Sequence, residues 1–292
     1  MSRPLDRWAQ WLLERRHGGD EEHLQQMLPA LQEFRERVVA NAEIGEGDVV
    51  LDVGAGDGLI AFGAFEHVGP SGRVIFSDVS EDLLDECKRL AAELGELDRS
   101  EFVRAAADAL PLDDESVDVV TTRSVLIYLM DKAPAFREFH RVLRPGGRLS
   151  IFEPINIFGY EHRDGLYYGL DISSVRHLAD KITARRPPLD EHPLLNFDER
   201  DLFRFAQEAG FEEIRLDYRA EQKLRQWTIG WDTFRRSSGN PLDPTPEEEM
   251  LEALEPEERA EFEAYVRTAI ESKPHVPEWR AGAYLRALKP LR

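Results

Sequence analysis

The sequence is poor in cysteine, with one thiol, Cys87, among its 292 residues. A single thiol excludes an internal disulfide and any metal centre built from several cysteines. Long apolar runs are missing too, since none approaches the roughly 18 residues of a membrane-spanning helix. The first residues, from Met1 to Asp6, lack the apolar segment of a signal peptide. We therefore expect a cytoplasmic protein that neither enters a membrane nor binds a metal ion.

Basic side chains are in deficit, with 37 Lys and Arg against 57 Asp and Glu, which gives a net charge of -20. So acidic a surface repels a phosphate backbone unless a local basic patch overrides it. Nucleic acid is therefore not an expected partner. Apolar material is ample, because 42% of the residues are hydrophobic. A chain of this length can form one large domain, or a core domain with a cap.

The most informative segment is Val50 to Gly58, in which an apolar run is followed by an acid and then by alternating glycines. The β-branched run predicts a buried strand, and a strand that ends in glycines before a helix lets the backbone approach a ligand closely. The glycines stand at 54, 56 and 58, with Asp52 just upstream. A dinucleotide-binding motif would need its third glycine where Leu59 stands. A different ligand is therefore favoured.

Strand and helix patterns alternate with short turns from this segment onward. The alternation predicts a doubly wound α/β sheet whose strands are mainly parallel. A helix is predicted over 59–68, another from Ser80 to Gly95, and a third over 131–143. The predicted strands that follow the first are 73–78, 101–104, 117–122, 148–153, 211–218 and 281–289.

Four elements in this order resemble the class I S-adenosylmethionine (SAM)-dependent methyltransferases. They are the Gly54-x-Gly56-x-Gly58 turn, an acid at the end of the second strand (Asp78), the pair Asp108-Ala109 after the third, and Leu143-Arg144-Pro145-Gly146-Gly147 before the fifth. The resemblance implies a Rossmann-like, seven-stranded sheet with one antiparallel strand. It also implies SAM as methyl donor, S-adenosylhomocysteine as product, and no metal.

The resemblance further implies which residues hold the cofactor. Asp78 would bind the ribose hydroxyls, Asp108-Ala109 would contact the adenine, and Asp52 would orient the ammonium end. The alternative role of Asp52, and of Asp78, is that of an acid capping a helix or a turn. The expected cofactor-binding residues are Asp52, Gly54, Ala55, Gly56, Asp78, Val79, Asp108, Ala109 and Arg123.

The residues at the end of the predicted fourth strand exclude several classes of methyl acceptor. Thr122-Arg123-Ser124-Val125 does not match the [NDS]-P-P-[YFW] motif of enzymes that methylate adenine, cytosine or glutamine amides. The paired glutamates of arginine methyltransferases and the Asp/Asn cluster of metal-dependent enzymes are also missing. The chain thus resembles the ubiquinone/menaquinone-type branch, which implies a small-molecule acceptor methylated on O, N or C. A protein or RNA methyltransferase, a non-catalytic SAM-binding module and a nicotinamide-dependent oxidoreductase are the alternatives, in that order.

The domain organisation predicted from these patterns is a core interrupted by helical segments, in a monomer or homodimer. Residues 154–198 and 221–279 depart from the strand–helix alternation, which predicts two insertions that cover the substrate. The predicted segments are a helical N-terminal lid at 1–42, a SAM-binding core at 43–153, a substrate cap at 154–198, continued core at 199–220, a second insertion at 221–279 and a final core strand at 280–292.

Two residues are candidates for a catalytic role. His162 would be a general base for a hydroxyl acceptor, and its alternative is a solvated loop histidine beside Arg163 and Asp164. Tyr128 would line the methyl-transfer channel, or else pack against the following helix. In the lid, Arg16 or His17 would contact the carboxylate of the cofactor or substrate, or lie in an exposed basic turn.

Overall fold

The computed structural model describes residues 3–18, 20–162 and 165–291. Its main feature is a seven-stranded sheet in the order β3-β2-β1-β4-β5-β9-β8, beside a two-stranded hairpin of β6 and β7. The strands are β1 Val49–Val53, β2 Arg73–Asp78, β3 Ser100–Arg104, β4 Val117–Arg123, β5 Leu143–Pro154, β6 Leu166–Tyr167, β7 Leu170–Asp171, β8 Glu212–Gln226 and β9 His275–Leu288.

The sheet is parallel except at β9, which is antiparallel to both β5 and β8. This confirms the predicted doubly wound sheet with one antiparallel strand. From β1 the chain first builds the sheet outward through β2 and β3, and then returns to place β4 on the other side of β1. The carboxyl ends of β1 and β4 therefore border a crevice in which ligands of such folds bind.

The last two strands are longer than the sequence patterns predicted. β8 and β9 pair from Glu212 with Leu288 to Gln226 with His275, whereas β5 pairs with β9 only as far as Gly282. The two strands therefore continue as a ribbon beyond the sheet. Most of β8 is exposed, so it lacks the apolar alternation by which a strand is recognised. The extension of β8 is formed by pairing with β9, which is distant in sequence, and therefore leaves no signal in the local sequence pattern.

Helices cover both faces of the sheet. Val50, Val74 and Val119 pack toward α3 and α4, whereas alternate residues such as Leu51 and Val120 pack toward α5 and α8, as the two-residue period of a strand requires. The helices are α1 Arg7–Gln10, α2 Glu21–Ala42, α3 Leu59–Val68, α4 Glu81–Leu94, α5 Ala133–Val142, α6 Asn156–Tyr160, α7 Arg176–Thr183, α8 Glu199–Glu208, α9 Trp231–Arg236, α10 Pro246–Ala253 and α11 Pro256–Glu271.

The inserted segments form a second hydrophobic core. It joins the β6–β7 hairpin with α7, α9, α10 and α11, and its aromatic members include Trp227, Trp231 and Phe262. Lys132 ties the first insertion to the sheet, because its buried ammonium donates to the carbonyl oxygens of Leu129 and Pro193 and to Asn196. Within the described residues, no helix is long and apolar enough to cross a membrane.

The N-terminal segment bridges the sheet and the insertions. The Ser80 hydroxyl, just after β2, donates to Asp6 at 2.7 Å. On the other side, the Trp11 indole N–H donates to the Ser238 carbonyl at 2.9 Å, and Arg15 pairs with Glu248 at 2.5 Å. Residues 3–18 therefore lie across the crevice as a lid.

Candidate cofactor and acceptor site

The glycine turn after β1 needs glycine for two reasons. Gly54, Gly56 and Gly58 have φ angles of 67°, 56° and 81°, in the left-handed region that L side chains rarely adopt. A Cβ on Gly54 would also lie 2.2 Å from Cγ2 of Val125, and one on Gly56 would lie 3.3 Å from Leu12 of the lid. The turn is thus a cradle of bare backbone between β4 and the lid.

Asp52 is buried and holds this turn against α3. Its carboxylate accepts from the Thr121 hydroxyl at 2.8 Å and from the Ala61 N–H at 3.2 Å. Burial raises the pKa of Asp52 to about 7, although both hydrogen bonds oppose the rise. By accepting the Ala61 N–H, Asp52 supports the first turn of α3, which agrees with its alternative role as an acid that caps a helix. Asp52 also lines the main cavity.

Asp78 ends β2 facing the same turn. One carboxylate oxygen accepts from the Gly56 N–H and the other from the Ser80 N–H, both at 2.9 Å. The side chain is largely buried, and burial raises its pKa. The carboxylate therefore fixes the glycine turn relative to the end of β2, and each oxygen keeps a lone pair for a ligand.

A cavity of about 1470 Å³ opens at the carboxyl ends of the strands. This volume exceeds the range of about 300–1,000 Å³ that is typical of single-ligand pockets. One wall is the sheet edge, and the opposite wall comes from the lid and both insertions. The expected site residues that line it are Asp52, Gly54, Ala55, Gly56, Asp78, Val79, Arg123 and Tyr128.

The structure does not bring Asp108 and Ala109 to this cavity. Both are exposed, and Ala109 closes a tight turn by bridging to Ala106. This turn directs Ala105, Ala106 and Ala107 toward the cavity instead. The wall after β3 is therefore apolar and lacks a carboxylate, and the adenine contact assigned to Asp108-Ala109 stays a prediction without support from their position.

His162 also lies outside the cavity lining. Its ring packs edge-on against Phe158 and Trp279, with centroids 5.3 Å away in both cases. Arg163 and Asp164, on which its alternative role rested, lie outside the described residues. This packing does not place His162 as a base at the cavity, because a base must reach the proton that it removes.

Tyr128 lies beneath the lid on the turn after β4. Its ring meets those of Trp8 and Trp11 edge-on, with centroid distances of 5.0 and 6.4 Å. Burial raises the pKa of its phenol, which is therefore neutral at ordinary pH. Buried Glu153 fixes the turn by accepting the N–H groups of Val125 and Leu126, both at 2.9 Å.

Arg123 at the end of β4 and Arg16 of the lid repel each other electrostatically. Among the described residues the buried Nε of Arg123 has no hydrogen-bond partner, and its guanidinium lies 5.2 Å from the centroid of the Phe34 ring. Burial, followed by the positive charge of Arg16, lowers the pKa of Arg123 to about 10. Both arginines line the cavity. A buried cation beside another cation is costly unless an anion joins them.

Sequence reasoning missed a polar group on the far wall. The imidazole Nε2 of His192 lies 3.3 Å from a carboxylate oxygen of Asp243, and the Asn240 amide donates to the other oxygen. All three residues line the cavity.

Among the described residues, no group of three His, Cys, Asp or Glu side chains is arranged to hold a metal ion.

A histidine from the lid and one from the first turn of α2 form a pair whose titration predicts a pH effect. The rings of His17 and His23 are 5.4 Å apart, and each Nδ1 is buried without a hydrogen-bond partner among the described residues. Burial first, and then Arg16, lowers the pKa of His17 to about 4, and burial also lowers that of His23. Because these values lie below the ordinary 6.5, the undocked lid binds more protons between pH 6.5 and 4. The penalty for burying the two imidazoles is therefore smallest above pH 6.5, and docking of the lid weakens as the pH falls.

Hydrogen–deuterium exchange of residues 3–18, corrected for the intrinsic rate, measures this effect. We expect faster exchange at pH 5.0 than at pH 7.5, and no such difference in the variant with His17→Gln and His23→Gln. His67→Gln, an exposed histidine of α3, is the matched control and keeps the wild-type response. A double variant as sensitive to pH as the wild type would contradict the prediction.

Comparisons with known proteins agree with this geometry. A family model described as a methyltransferase domain matches residues 51–151. The ubiquinone/menaquinone biosynthesis C-methyltransferase UbiE of Cronobacter sakazakii is 32% identical over 184 residues, covering 59% of this chain and 69% of that protein.

Two solved structures show the same fold. A putative methyltransferase from Bacillus halodurans has a TM-score of 0.54 at 18% identity, covering 87% of this chain and 98% of its own. The YcgJ protein from Bacillus subtilis has a TM-score of 0.55 at 17% identity, covering 87% and 97%. With the glycine turn, the family model and the relative, these findings show that the chain belongs to the class I SAM-dependent methyltransferase family and is a SAM-dependent methyltransferase.

Proposed function

We propose that this methyltransferase acts on a small molecule that is enclosed between the core sheet and the two insertions. The observation that carries the proposal is the cavity of about 1470 Å³, whose walls are the glycine turn on one side and the insertions on the other. Its volume has room for a second ligand beside a cofactor. The relative UbiE is named for ubiquinone/menaquinone biosynthesis, which supports a small-molecule acceptor.

The residues of the cavity fit SAM at one end. Asp78 has lone pairs for the ribose hydroxyls, and the bare backbone from Gly54 to Gly56 admits the amino-acid tail beside it. Val79 and the apolar wall of Ala105, Ala106 and Ala107 suit the adenine. Asp52 stiffens the turn from behind, where it also supplies negative charge near the ammonium end. Bound SAM supplies an electrophilic methyl group on its sulfonium.

Arg123 and Arg16 form the anion-binding part of the cofactor site. Their adjacent charges need an anion, and they line the cavity beside the glycine turn, where the tail of SAM ends in a carboxylate. Arginine presents a planar fork of donors that matches a carboxylate. The lid supplies Arg16, so the bound tail would help to hold the lid over the site.

Replacing Arg123 with Gln is expected to lower the affinity for S-adenosylhomocysteine by about 10- to 100-fold, since a hydrogen bond to a charged group contributes about 1.5–3 kcal/mol. Affinity for methylthioadenosine, which lacks the amino-acid tail, is expected to stay unchanged. Calorimetry with both ligands measures this, with Arg185→Gln as control because Arg185 is an exposed arginine of the same cavity. Unchanged affinity for S-adenosylhomocysteine would contradict the assignment.

The protein contributes to the reaction mainly by alignment. The lid and insertions exclude water, and the walls hold the acceptor in line with the methyl group, which converts a bimolecular step into an effectively unimolecular one. Tyr128, neutral and facing the cavity, lines the channel between the two ligands.

The net charge of -20 supports the absence of a nucleic-acid partner. We further propose that the protein has no membrane partner, is a monomer or homodimer, and is located in the cytoplasm.

Transfer of label from [methyl-³H]SAM to a panel of small molecules tests the proposed function. We expect S-adenosylhomocysteine to form in proportion to a labelled small-molecule product. Transfer to protein or RNA only would contradict the proposal. A chain that binds SAM without ever forming S-adenosylhomocysteine would instead be a binding module.

A further inference from the structure

The far wall of the cavity carries one polar group built from both insertions. His192 follows α7 in the first insertion, and Asp243 precedes α10 in the second. Their side chains meet at 3.3 Å, with 13% of the His192 side chain exposed and 44% of the Asp243 side chain exposed. The histidine is thus enclosed while the carboxylate is open to the cavity.

Contacts on both sides hold this pair in place. The Leu194 N–H donates to Nδ1 of His192 at 3.3 Å, which turns Nε2 toward Asp243, 3.3 Å away. The Asn240 amide donates to the other carboxylate oxygen. The carboxyl group of Asp243 is therefore held between Asn240 and His192, and its oxygens keep lone pairs that can take a proton.

The loop that presents Asp243 is rigid. The Ser238 hydroxyl donates to the carbonyl oxygens of Asn240 and Asp243 at 2.6 and 3.0 Å, and Asn240 accepts the Asp243 N–H at 2.9 Å. The lid holds the same loop, because Trp11 donates to the Ser238 carbonyl. A side chain on so constrained a loop has its orientation fixed before a ligand binds, as a catalytic group requires.

Asp243 lines the same cavity as Tyr128, which lies beneath the lid, and Glu249 of the second insertion. Glu249 is engaged by Arg186 at 2.8 Å and by the Tyr167 hydroxyl at 3.2 Å. Asp243 is the more exposed of these two carboxylates, since 44% of its side chain is exposed against 9% for Glu249.

We propose that Asp243 is the general base of the methyl transfer, that His192 and Asn240 are its positioning residues, and that the acceptor carries an acidic hydroxyl group of the phenol or enol class. The acceptor hydroxyl gives its proton to a carboxylate oxygen of Asp243. The electron pair left on the acceptor forms the bond to the methyl carbon, and the carbon–sulfur bond breaks with its electron pair on sulfur. Asp243 then releases the proton to solvent through its exposed side.

The acceptor class follows from the base. Proton transfer becomes easier as the proton donor becomes more acidic, and a carboxylate is a weak base among the side chains that serve as general bases. It suits a phenol or an enol better than an aliphatic alcohol. The inference rests on the proposed function, since it names the acceptor class and the base of that same site.

The experiment uses the full chain, [methyl-³H]SAM, and a panel of phenols, hydroquinones and enols of graded acidity. We expect transfer to members of this panel, and Asp243→Asn should lower kcat by about 10²- to 10⁴-fold, the usual contribution of general base catalysis. The loss should shrink as the acceptor becomes more acidic, and Asp243→Glu should recover part of it. His192→Gln should lower kcat less and shift the acidic limb of the pH–rate profile.

The control is Glu252→Gln, an exposed carboxylate that lines the same cavity, and it should retain wild-type kcat. Equal melting temperatures and equal affinities for S-adenosylhomocysteine exclude misfolding as the cause of any loss. Wild-type kcat in Asp243→Asn, a loss independent of acceptor acidity, or a panel without any transfer would overturn the inference. A failure of the proposed function differs, because then no small molecule of any class accepts the methyl group.

Discussion

Replacing Asp78 with Ala is expected to lower the affinity for S-adenosylhomocysteine by about 100-fold or more. Hydrogen bonds to a charged group contribute about 1.5–3 kcal/mol each, and a ribose offers two hydroxyls to this carboxylate. The substitution also releases the Gly56 and Ser80 N–H groups, which Asp78 binds at 2.9 Å. The glycine turn would therefore lose its anchor to β2 together with the ligand contact.

Two ligands tested on two proteins separate the loss of the ribose contact from the loss of the anchor that Asp78 provides to the glycine turn. Calorimetry is performed with S-adenosylhomocysteine and with its 2′-deoxy analogue, on the wild type and on Asp78→Ala. If Asp78 binds the ribose, removing the 2′-hydroxyl weakens binding to the wild type but has little further effect on the variant. Glu81→Gln, at the first residue of α4, is the control, since Glu81 is exposed and does not line the cavity. Unchanged affinity in Asp78→Ala would refute the assignment.

Local signals predicted much of the core. The helix over 59–68 is observed as predicted, because Gly58 and Gly69 bound it and its apolar spacing is regular. Asp198 and Thr245 cap α8 and α10, each with a capping box. In these places the sequence itself contains the groups that start or stop the element, so no distant contact was needed.

The polar group on the far wall of the cavity could not be predicted in the same way. His192 and Asp243 lie in different insertions, and the packing of these insertions, such as that of α7 against α10, brings the two residues together. The turn at Asp108 shows a second limit, since its register decides whether a carboxylate or three alanines face the cavity. Sequence patterns fix which residues form a turn more readily than which side chains of the turn point inward.

Replacing Gly54 with Ala is expected to abolish measurable SAM binding and to lower the free energy of unfolding by about 2–5 kcal/mol. Left-handed backbone costs an L residue about 1–2 kcal/mol, and forcing a methyl group into a packed site costs about 1–3 kcal/mol more. The new Cβ would lie 2.2 Å from Cγ2 of Val125. Either the glycine turn or the turn bearing Val125 must move, and both border the cofactor site.

Two further variants separate strain from crowding. Gly95→Ala, at the end of α4, places a methyl group at φ 76° with nothing within 4 Å, so it measures the backbone strain alone and should leave SAM binding intact. Adding Val125→Ala to Gly54→Ala removes the crowding and should recover part of the stability, but not the part due to strain. Urea unfolding and calorimetry provide both readouts. If Gly54→Ala were no more destabilising than Gly95→Ala, contact with Val125 would not be the constraint on this turn, and glycine would be required there for its backbone conformation alone.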